Sequence, residues 1–473
     1  MIVASAALLG LLASPPPPAP PAATPAFFAS HREKFLAKLP PDSIAVFHAA
    51  PESSVETSPD PYRQDSNFWY LAGLEEPSAI AVLLPGGNAR GRFLLFVRPK
   101  DFPAEQWTGW RAGVEGAKKD FGAEEAYPIG EFWSRFPALA AGAKSLYYGD
   151  GGDAEFGRRL LAAWNEGNAN ATSARPASEA SPILAALRLV KDPLEQDLLR
   201  EAARISADAH RAAMGELSPG RREWDLKAAM VGLCLSRGAA RMAYPPIVGS
   251  GKNSVILHYE RDDETMEDGE IVVNDTACEY GMYAADVTRS YPVSGRFSAE
   301  QRKIYEIVLA AQKAGFAAVK PGAAFHEVHD ATVSVIVDGL LALGILSGDR
   351  AEILRTRAYQ KFYVHGSSHW LGLNVHDAGS YEYPAGVGRL ERYGKAQARL
   401  EPGMALTVEP GIYIPEHSTA DPRWWNIGVR IEDDVLVTPG GMECLSCGAP
   451  REIADVEKAI AQGKSRREGR RAR

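Results

Sequence analysis

His365-Gly366-Ser367-Ser368-His369-Trp370-Leu371-Gly372-Leu373-Asn374-Val375-His376-Asp377 holds three of the ten histidines in a chain of 473 residues. Small residues surround the first two, and Trp370, Leu371, Leu373 and Val375 lead to the third. This alternation predicts a strand or tight turn that carries imidazoles into a cleft. The competing reading is a histidine-rich surface turn, and the rest of the chain decides between the two.

Four acids stand where strands ordinarily bury apolar groups. Asp275 ends Ile271-Val272-Val273-Asn274, and Asp286 lies in Tyr283-Ala284-Ala285-Asp286-Val287-Thr288. Glu409 ends Ala405-Leu406-Thr407-Val408 before the turn signal Pro410-Gly411, and Glu432 follows Val429-Arg430-Ile431. A turn at Tyr280-Gly281 would make a hairpin that sets Asp275 beside Asp286. A lone carboxylate inside a strand is costly unless it is exposed, neutralised or paired. Singly, each acid reads most simply as a surface residue. Four such acids with an imidazole read differently: two divalent cations would cancel their charge, in a dinuclear site about 3.5–4 Å across. Oxygen-rich ligation with one imidazole favours Mn²⁺, Zn²⁺ or Co²⁺ over metals that prefer thiolates.

The length predicts two domains. Hydrophobic content of 45% with 24% charged residues is that of a globular protein, and a net charge of −8 gives no support to nucleic-acid binding. Cys234, Cys278, Cys444 and Cys447 are too few for a disulfide scaffold, although Cys444 and Cys447 have redox or half-zinc spacing. The apolar run Ile2–Ala13 is too short to span a bilayer and has the length of a signal-peptide core, so export to the periplasm or beyond is favoured over a cytoplasmic location. No basic residue precedes the run, and no clean small-residue cleavage site follows it. Ser14–Pro25 reads as a Pro-rich tether. The basic residues after Gly463 read as a disordered tail.

Short apolar runs at Ser43–Ala49, Ser78–Leu84, Arg92–Val97 and Ser145–Tyr148 predict strands, with helices at Ala104–Gly113 and Ile129–Ala141 between them. The alternation predicts an α/β unit. No Gly-rich phosphate loop follows a strand. After the boundary at 166–182, Asp192-Pro193 with Glu195 predicts a helix start with a capping box. Further helices are expected at Glu223–Arg237, Ala299–Val319 and Phe325–Leu343, and strands at Ile271–Asn274, Met282–Ser290, Ala405–Glu409 and Gly428–Val437. Helices mixed with hairpin-like strands make this second unit α+β.

From about residue 30 to 457 the chain resembles the pita-bread metallopeptidases, most closely the Xaa-Pro aminopeptidases. The resemblance rests on Tyr62-Arg63-Gln64-Asp65-Ser66-Asn67-Phe68-Trp69-Tyr70-Leu71-Ala72-Gly73, Gly249-Ser250-Gly251-Lys252-Asn253, Leu257-His258-Tyr259, Asp275 to Arg289, and His365 to Asp377. Leu400-Glu401-Pro402-Gly403-Met404, Thr407-Val408-Glu409-Pro410-Gly411 and Gly428-Val429-Arg430-Ile431-Glu432-Asp433-Asp434 complete it. It implies an α+β pita-bread catalytic domain at 186–460, preceded by an α/β creatinase/prolidase-like domain at 26–185. A candidate signal peptide and tether at 1–25 and a basic tail at 461–473 flank them.

The resemblance also implies five metal ligands, Asp275, Asp286, His369, Glu409 and Glu432, with Asp286 and Glu432 bridging. His258, His365 and His376 fall at substrate-contacting positions, and Arg430 at a supporting one. The implied reaction is hydrolysis of the bond between a peptide's first residue and a following proline, by a hydroxide held between two metals. Glu409 would handle the proton and His376 would polarise the carbonyl. Mn²⁺ is the expected metal, and a homodimer or tetramer the expected assembly. The sequence departs from the family at Thr276-Ala277, where Ala-Gly is usual, at Ser367, where Leu is common, and at Trp110, where a basic residue is frequent. A prolidase acting on Xaa-Pro dipeptides and a non-catalytic binding module of the same fold are the alternatives. A creatinase-like enzyme is a further one, opposed by the complete ligand set.

Overall fold

The computed structural model describes residues 23–52, 62–87, 91–168, 175–381, 391–392, 395–396 and 398–471. The expected signal segment and most of the tether lie outside these. No helix among the described residues is long and apolar enough to cross a membrane.

The N-terminal part is built on a six-stranded mixed sheet. Its spatial order is Glu125–Pro128, Phe93–Val97, Ile80–Leu83, Ser43–His48, Ser145–Gly149 and Ala177–Glu179. The central strand Ser43–His48 is buried on both faces. Ile44 and Val46 pack with Phe132, Phe136, Leu160 and Trp164, whereas Ala45 and Phe47 join the core shared with the rest of the chain. Alternate side chains point to opposite faces, so one strand knits two cores. The expected helix Ala104–Gly113 is observed as Phe102–Thr108. Gly109, at φ +88°, ends it, and a new helix starts at Gly113.

The expected start of the long helix is observed. In Pro193–Glu216 the Asp192 carboxylate accepts from the backbone N–H groups of Leu194 and Glu195, and Glu195 accepts from that of Asp192. The cap also joins the two parts of the chain. His31, buried in the helix Pro25–Leu36, reaches Asp192 Oδ2 at 3.0 Å and stacks on Tyr70. Trp69 is buried between Phe28 and Tyr283, a core role.

The C-terminal part packs helices Pro193–Glu216, Glu223–Ser236, Ala299–Ala318 and Phe325–Ala342 around short antiparallel sheets. Two expected strands are each split. Met282–Ser290 becomes Tyr283–Ala284 and Thr288–Pro292, and Gly428–Val437 becomes Ile427–Arg430 and Asp433–Thr438. Asp286 and Glu432 occupy the breaks, where the backbone leaves the ladder and turns a carboxylate inward. The hairpin turn falls at Gly281-Met282, both with positive φ. This is the two-residue turn whose twist matches that of antiparallel strands. That hairpin does not pair the two acids. Asp275 instead lies opposite Thr288 in the neighbouring ladder.

The expected disordered basic tail is helical. Ile453–Arg471 forms one helix that packs on Pro193–Glu216. A Cβ on Gly463 would lie 2.2 Å from the Cα of Gly215, so the two helices meet backbone to backbone through a pair of glycines. Arg467 then donates to the carbonyl of Leu217 at 2.9 Å. Cys444 and Cys447 form a disulfide, while Cys234 and Cys278 are free and buried.

His210, on the inner face of Pro193–Glu216, ties together the strands that bear the acids. Its Nε2–H donates to the carbonyls of Thr276 (3.1 Å) and Val287 (2.9 Å), and its Nδ1 accepts from Tyr291 at 2.5 Å. Burial, then the charge of Arg289, pulls its pKa from 6.5 to about 3. The folded protein therefore keeps this imidazole neutral while the unfolded chain takes up a proton below pH 6.5. Its contribution to stability is complete above that pH and is lost as pH falls towards 3. The loss by pH 4 is about 3 kcal/mol. Urea titrations of wild type and His210→Gln should diverge in slope with pH across that window.

Candidate active site

Each acid reaches the centre by a different local device. Asp275 ends Ile271–Asp275, and Asp286 lies in the break after Ala284, where its backbone N–H donates to Asp434 at 3.1 Å. Glu432 sits in the second break, and its N–H donates to the carbonyl of Thr288 at 3.0 Å. The Thr288 hydroxyl donates back to Glu432 Oε2 at 2.7 Å. Glu409 follows the strand Ala405–Val408, whose partner Asp433–Thr438 begins next to Glu432.

The histidine-rich stretch is a series of bends and not a regular strand. Backbone bonds from Ser367, His369 and Leu371 to Glu409, Thr407 and Ala405, around the bridge of Trp370 to Leu406, fix it to the acid-bearing sheet. His369 is buried, and its Nδ1–H donates to the Trp370 carbonyl at 3.0 Å. That bond turns Nε2 towards Asp286 (3.2 Å) and Glu409 (3.7 Å). His376 is exposed and stacks on His369 with ring centres 4.1 Å apart. His365 donates from Nδ1 to the Gly366 carbonyl (2.6 Å), accepts at Nε2 from Tyr413 (2.8 Å), and lies 3.6 Å from Glu409. His258 is exposed and neighbours both His365 and His376. Arg430 binds Asp275 at 2.7 Å, Thr288 at 3.1 Å and Tyr413 at 3.0 Å. All nine expected site residues are thus linked through one region.

Burial and like charge dominate the electrostatics of the centre. Burial, with the charges of Asp286 and Asp275 added, raises Glu409 to about 7 against the pull of His369 and Arg430. Burial and the charges of Asp286, Glu409 and Asp275 push Glu432 well above the ordinary carboxylate range. Asp275 is raised by burial although Arg430 opposes it. Burial would depress His369, but the bond to Asp286 and the charge of Glu409 raise it to about 9. Four carboxylates and one guanidinium leave a deficit of positive charge at the centre. Buried, hard oxygen donors with a single imidazole suit divalent cations. Asp286, His369 and Glu432 present ligand atoms within 4.8 Å of one another. His31, Asp192 and Glu195 form a similar cluster, but they are engaged in the helix cap.

The loop carrying His376 is anchored from the N-terminal side. Asp377 is buried between Arg188 (2.5 Å) and Lys191 (3.2 Å), and Arg188 also holds Asn67 and Asn374. Arg63 donates to Glu279 and to the carbonyl of Leu373.

A buried cluster of carboxylates with one oriented imidazole defines a hard-cation hydrolase centre. The model of metallopeptidase family M24 matches residues 197–439, that of the aminopeptidase P N-terminal domain matches residues 28–147, and the chain belongs to metallopeptidase family M24. It is 37% identical to the Xaa-Pro aminopeptidase of Haemophilus influenzae over 92% of this chain and 96% of that protein. It is 36% identical to the Xaa-Pro aminopeptidase of Escherichia coli over 91% and 96%. Its structure superimposes on Pseudomonas aeruginosa aminopeptidase PepP with a TM-score of 0.87 and 41% identity, covering 93% of this chain and 99% of that one. The fold is therefore the pita-bread one with an aminopeptidase P N-terminal domain.

Sequence reasoning missed the residues that hold the acids in place. Tyr244 donates to Asp275 Oδ1 at 2.6 Å, Thr288 binds Glu432, and Tyr413 links His365 to Arg430. For Thr288 a signal existed: strand pairing sets it opposite Asp275. Tyr244 precedes Pro245-Pro246 and gives no such pattern.

Proposed function

We propose that the protein is a Xaa-Pro aminopeptidase whose metal ligands are Asp275, Asp286, His369, Glu409 and Glu432. The observation carrying this reading is the convergence of Asp286, Glu409 and Glu432 on His369, with Asp275 joined to them through Arg430 and with His365 and His376 beside them. Its relatives bear the name Xaa-Pro aminopeptidase over almost their whole length. The protein is a metallo-aminopeptidase, a hydrolase; two divalent cations, Mn²⁺ in our reading, with Zn²⁺ or Co²⁺ able to substitute, would supply charge neutralisation and an activated water.

The chain's own residues divide the remaining work. Glu409 takes the proton of the attacking water on its carboxylate and delivers it to the proline nitrogen as the bond breaks. His376 donates to the scissile carbonyl oxygen, where charge develops. Its stacking on His369 fixes the height of its ring. His258 and His365 position the first residue and the proline ring. Arg430 holds Asp275 in place and favours its ionised form against the effect of burial. Proline's tertiary amide has no N–H and a fixed φ, so a site shaped for it accepts what most peptidases reject.

We assign residues 26–185 and 186–460 to the two domains, with the helix Ser181–Leu189 crossing between them. Export is supported by the apolar Ile2–Ala13 run and by the Cys444–Cys447 disulfide, since such bonds persist in oxidising compartments. The assembly is a homodimer or tetramer. Arg-Pro-Pro and an Arg-Pro dipeptide separate the two enzymatic readings. Release of arginine from the tripeptide supports the aminopeptidase, and cleavage of the dipeptide alone would make the protein a prolidase.

A further inference from the structure

We infer that Ser367, held by Tyr363, His329 and Thr332, is a positioning residue for Glu409, an inference that rests on the proposed role of Glu409 as base. Ser367 is buried, two residues before His369. Its hydroxyl has three partners: His329 Nδ1 at 2.8 Å, Thr332 Oγ1 at 2.5 Å, and the Tyr363 hydroxyl.

One assignment of the protons satisfies every bond of this cluster. Thr332 gives its hydroxyl proton to the carbonyl of His329 at 2.8 Å, so towards Ser367 it can only accept. Ser367 therefore donates to Thr332 and has no proton left. It must accept from both remaining partners, which makes His329 the Nδ1–H tautomer and Tyr363 a donor. One hydrogen and two lone pairs are all in use, so the serine hydroxyl is saturated and has one orientation.

This saturated hydroxyl lies on the segment that fixes the base. The carbonyl of Ser367 accepts the backbone N–H of Glu409 at 2.9 Å. Two residues on, His369 and Thr407 exchange bonds, the His369 carbonyl accepting from Thr407 N–H (3.0 Å) and Thr407 Oγ1 accepting from His369 N–H (3.2 Å). Residues 367–369 are thus zipped to 407–409, and the Ser367 side chain clamps the end of that zipper next to Glu409. Helix Phe325–Ala342 supplies His329 and Thr332, so the base is indexed to a rigid element outside the ligand set. Catalytic geometry depends on such support, because small displacements of a proton-transfer group cost rate more than binding. A leucine here could fill the space but could not clamp.

The test is steady-state kinetics on Arg-Pro-Pro with metal content measured on the same samples. Ser367→Ala and Tyr363→Phe should lower kcat by about tenfold or more. KM should stay within about twofold and metal content should not change, because the ligands are untouched. Ser367→Thr, which keeps the hydroxyl, should recover most of the rate. Tyr363→Phe removes only the phenolic hydroxyl and keeps the ring, so it decides the matter if Ser367→Ala does not fold. Unchanged kcat in Tyr363→Phe would overturn the inference, as would a loss of rate that follows a loss of metal. Wild type assayed in parallel separates the two ideas: an inactive metal-loaded wild type refutes the aminopeptidase reading, whereas an active wild type with equally active variants refutes only the role of Ser367.

Discussion

Glu409→Ala is expected to lower kcat on a Xaa-Pro-Pro peptide by about 10³-fold or more, with the fold intact. General-base catalysis alone is worth about 10²–10⁴, and here the same carboxylate is also a proposed metal ligand. The fold should survive because the Glu409 side chain meets the imidazoles of His365 and His369, which keep their own bonds to Gly366, Tyr413 and Trp370. The backbone N–H that joins it to Ser367 remains in the variant. Removing a buried acid that is raised to about 7 by burial and neighbouring acids also relieves repulsion. Circular dichroism should therefore match wild type, and in the metal-free state at neutral pH the variant should unfold at no lower temperature than wild type. Activity within tenfold of wild type would remove Glu409 from the mechanism.

The second large effect is the response of stability to pH with and without metal. In the metal-free protein, Glu409 ionises near 7 when folded and near 4.5 when unfolded. A raised carboxylate stabilises the fold below its unfolded pKa, and that contribution disappears as pH rises through the folded value. Between pH 4.5 and 7 this removes about 3 kcal/mol for Glu409 alone. Glu432 and Asp275 are displaced in the same direction. Divalent metal reverses the trend, since it binds the ionised forms and displaces protons. The expected result is a gap in Tm between metal-loaded and metal-free protein that widens from pH 5 to pH 8. Calorimetry in buffers of different ionisation enthalpy should show proton release on binding. A gap independent of pH would mean that these acids do not hold the metal.

The parts of this centre legible in the sequence were those with local punctuation. Asp192-Pro193 with Glu195 is complete within four residues, and the helix starts there. Asp275 and Glu409 end apolar runs, so their place at strand ends could be read directly. Asp286 and Glu432 were legible as acids in strand-like surroundings, but not as breaks in those strands. The breaks depend on partners far along the chain, Asp434 for Asp286 and Thr288 for Glu432. The helical tail was misjudged for a similar reason. Its charge favours solvent, but Gly463 meets Gly215 across 248 positions, and no local pattern records that contact. The three histidines of the opening stretch separate only in three dimensions. The Trp370 carbonyl orients His369 towards the acids, stacking leaves His376 exposed, and Tyr413 engages His365.

The most direct test of the central claim is metal analysis of Mn²⁺-loaded protein together with product identification on Arg-Pro-Pro. The account predicts two divalent ions per chain and release of free arginine with Pro-Pro. Protein that retains no divalent metal and releases no arginine after Mn²⁺ loading would contradict it.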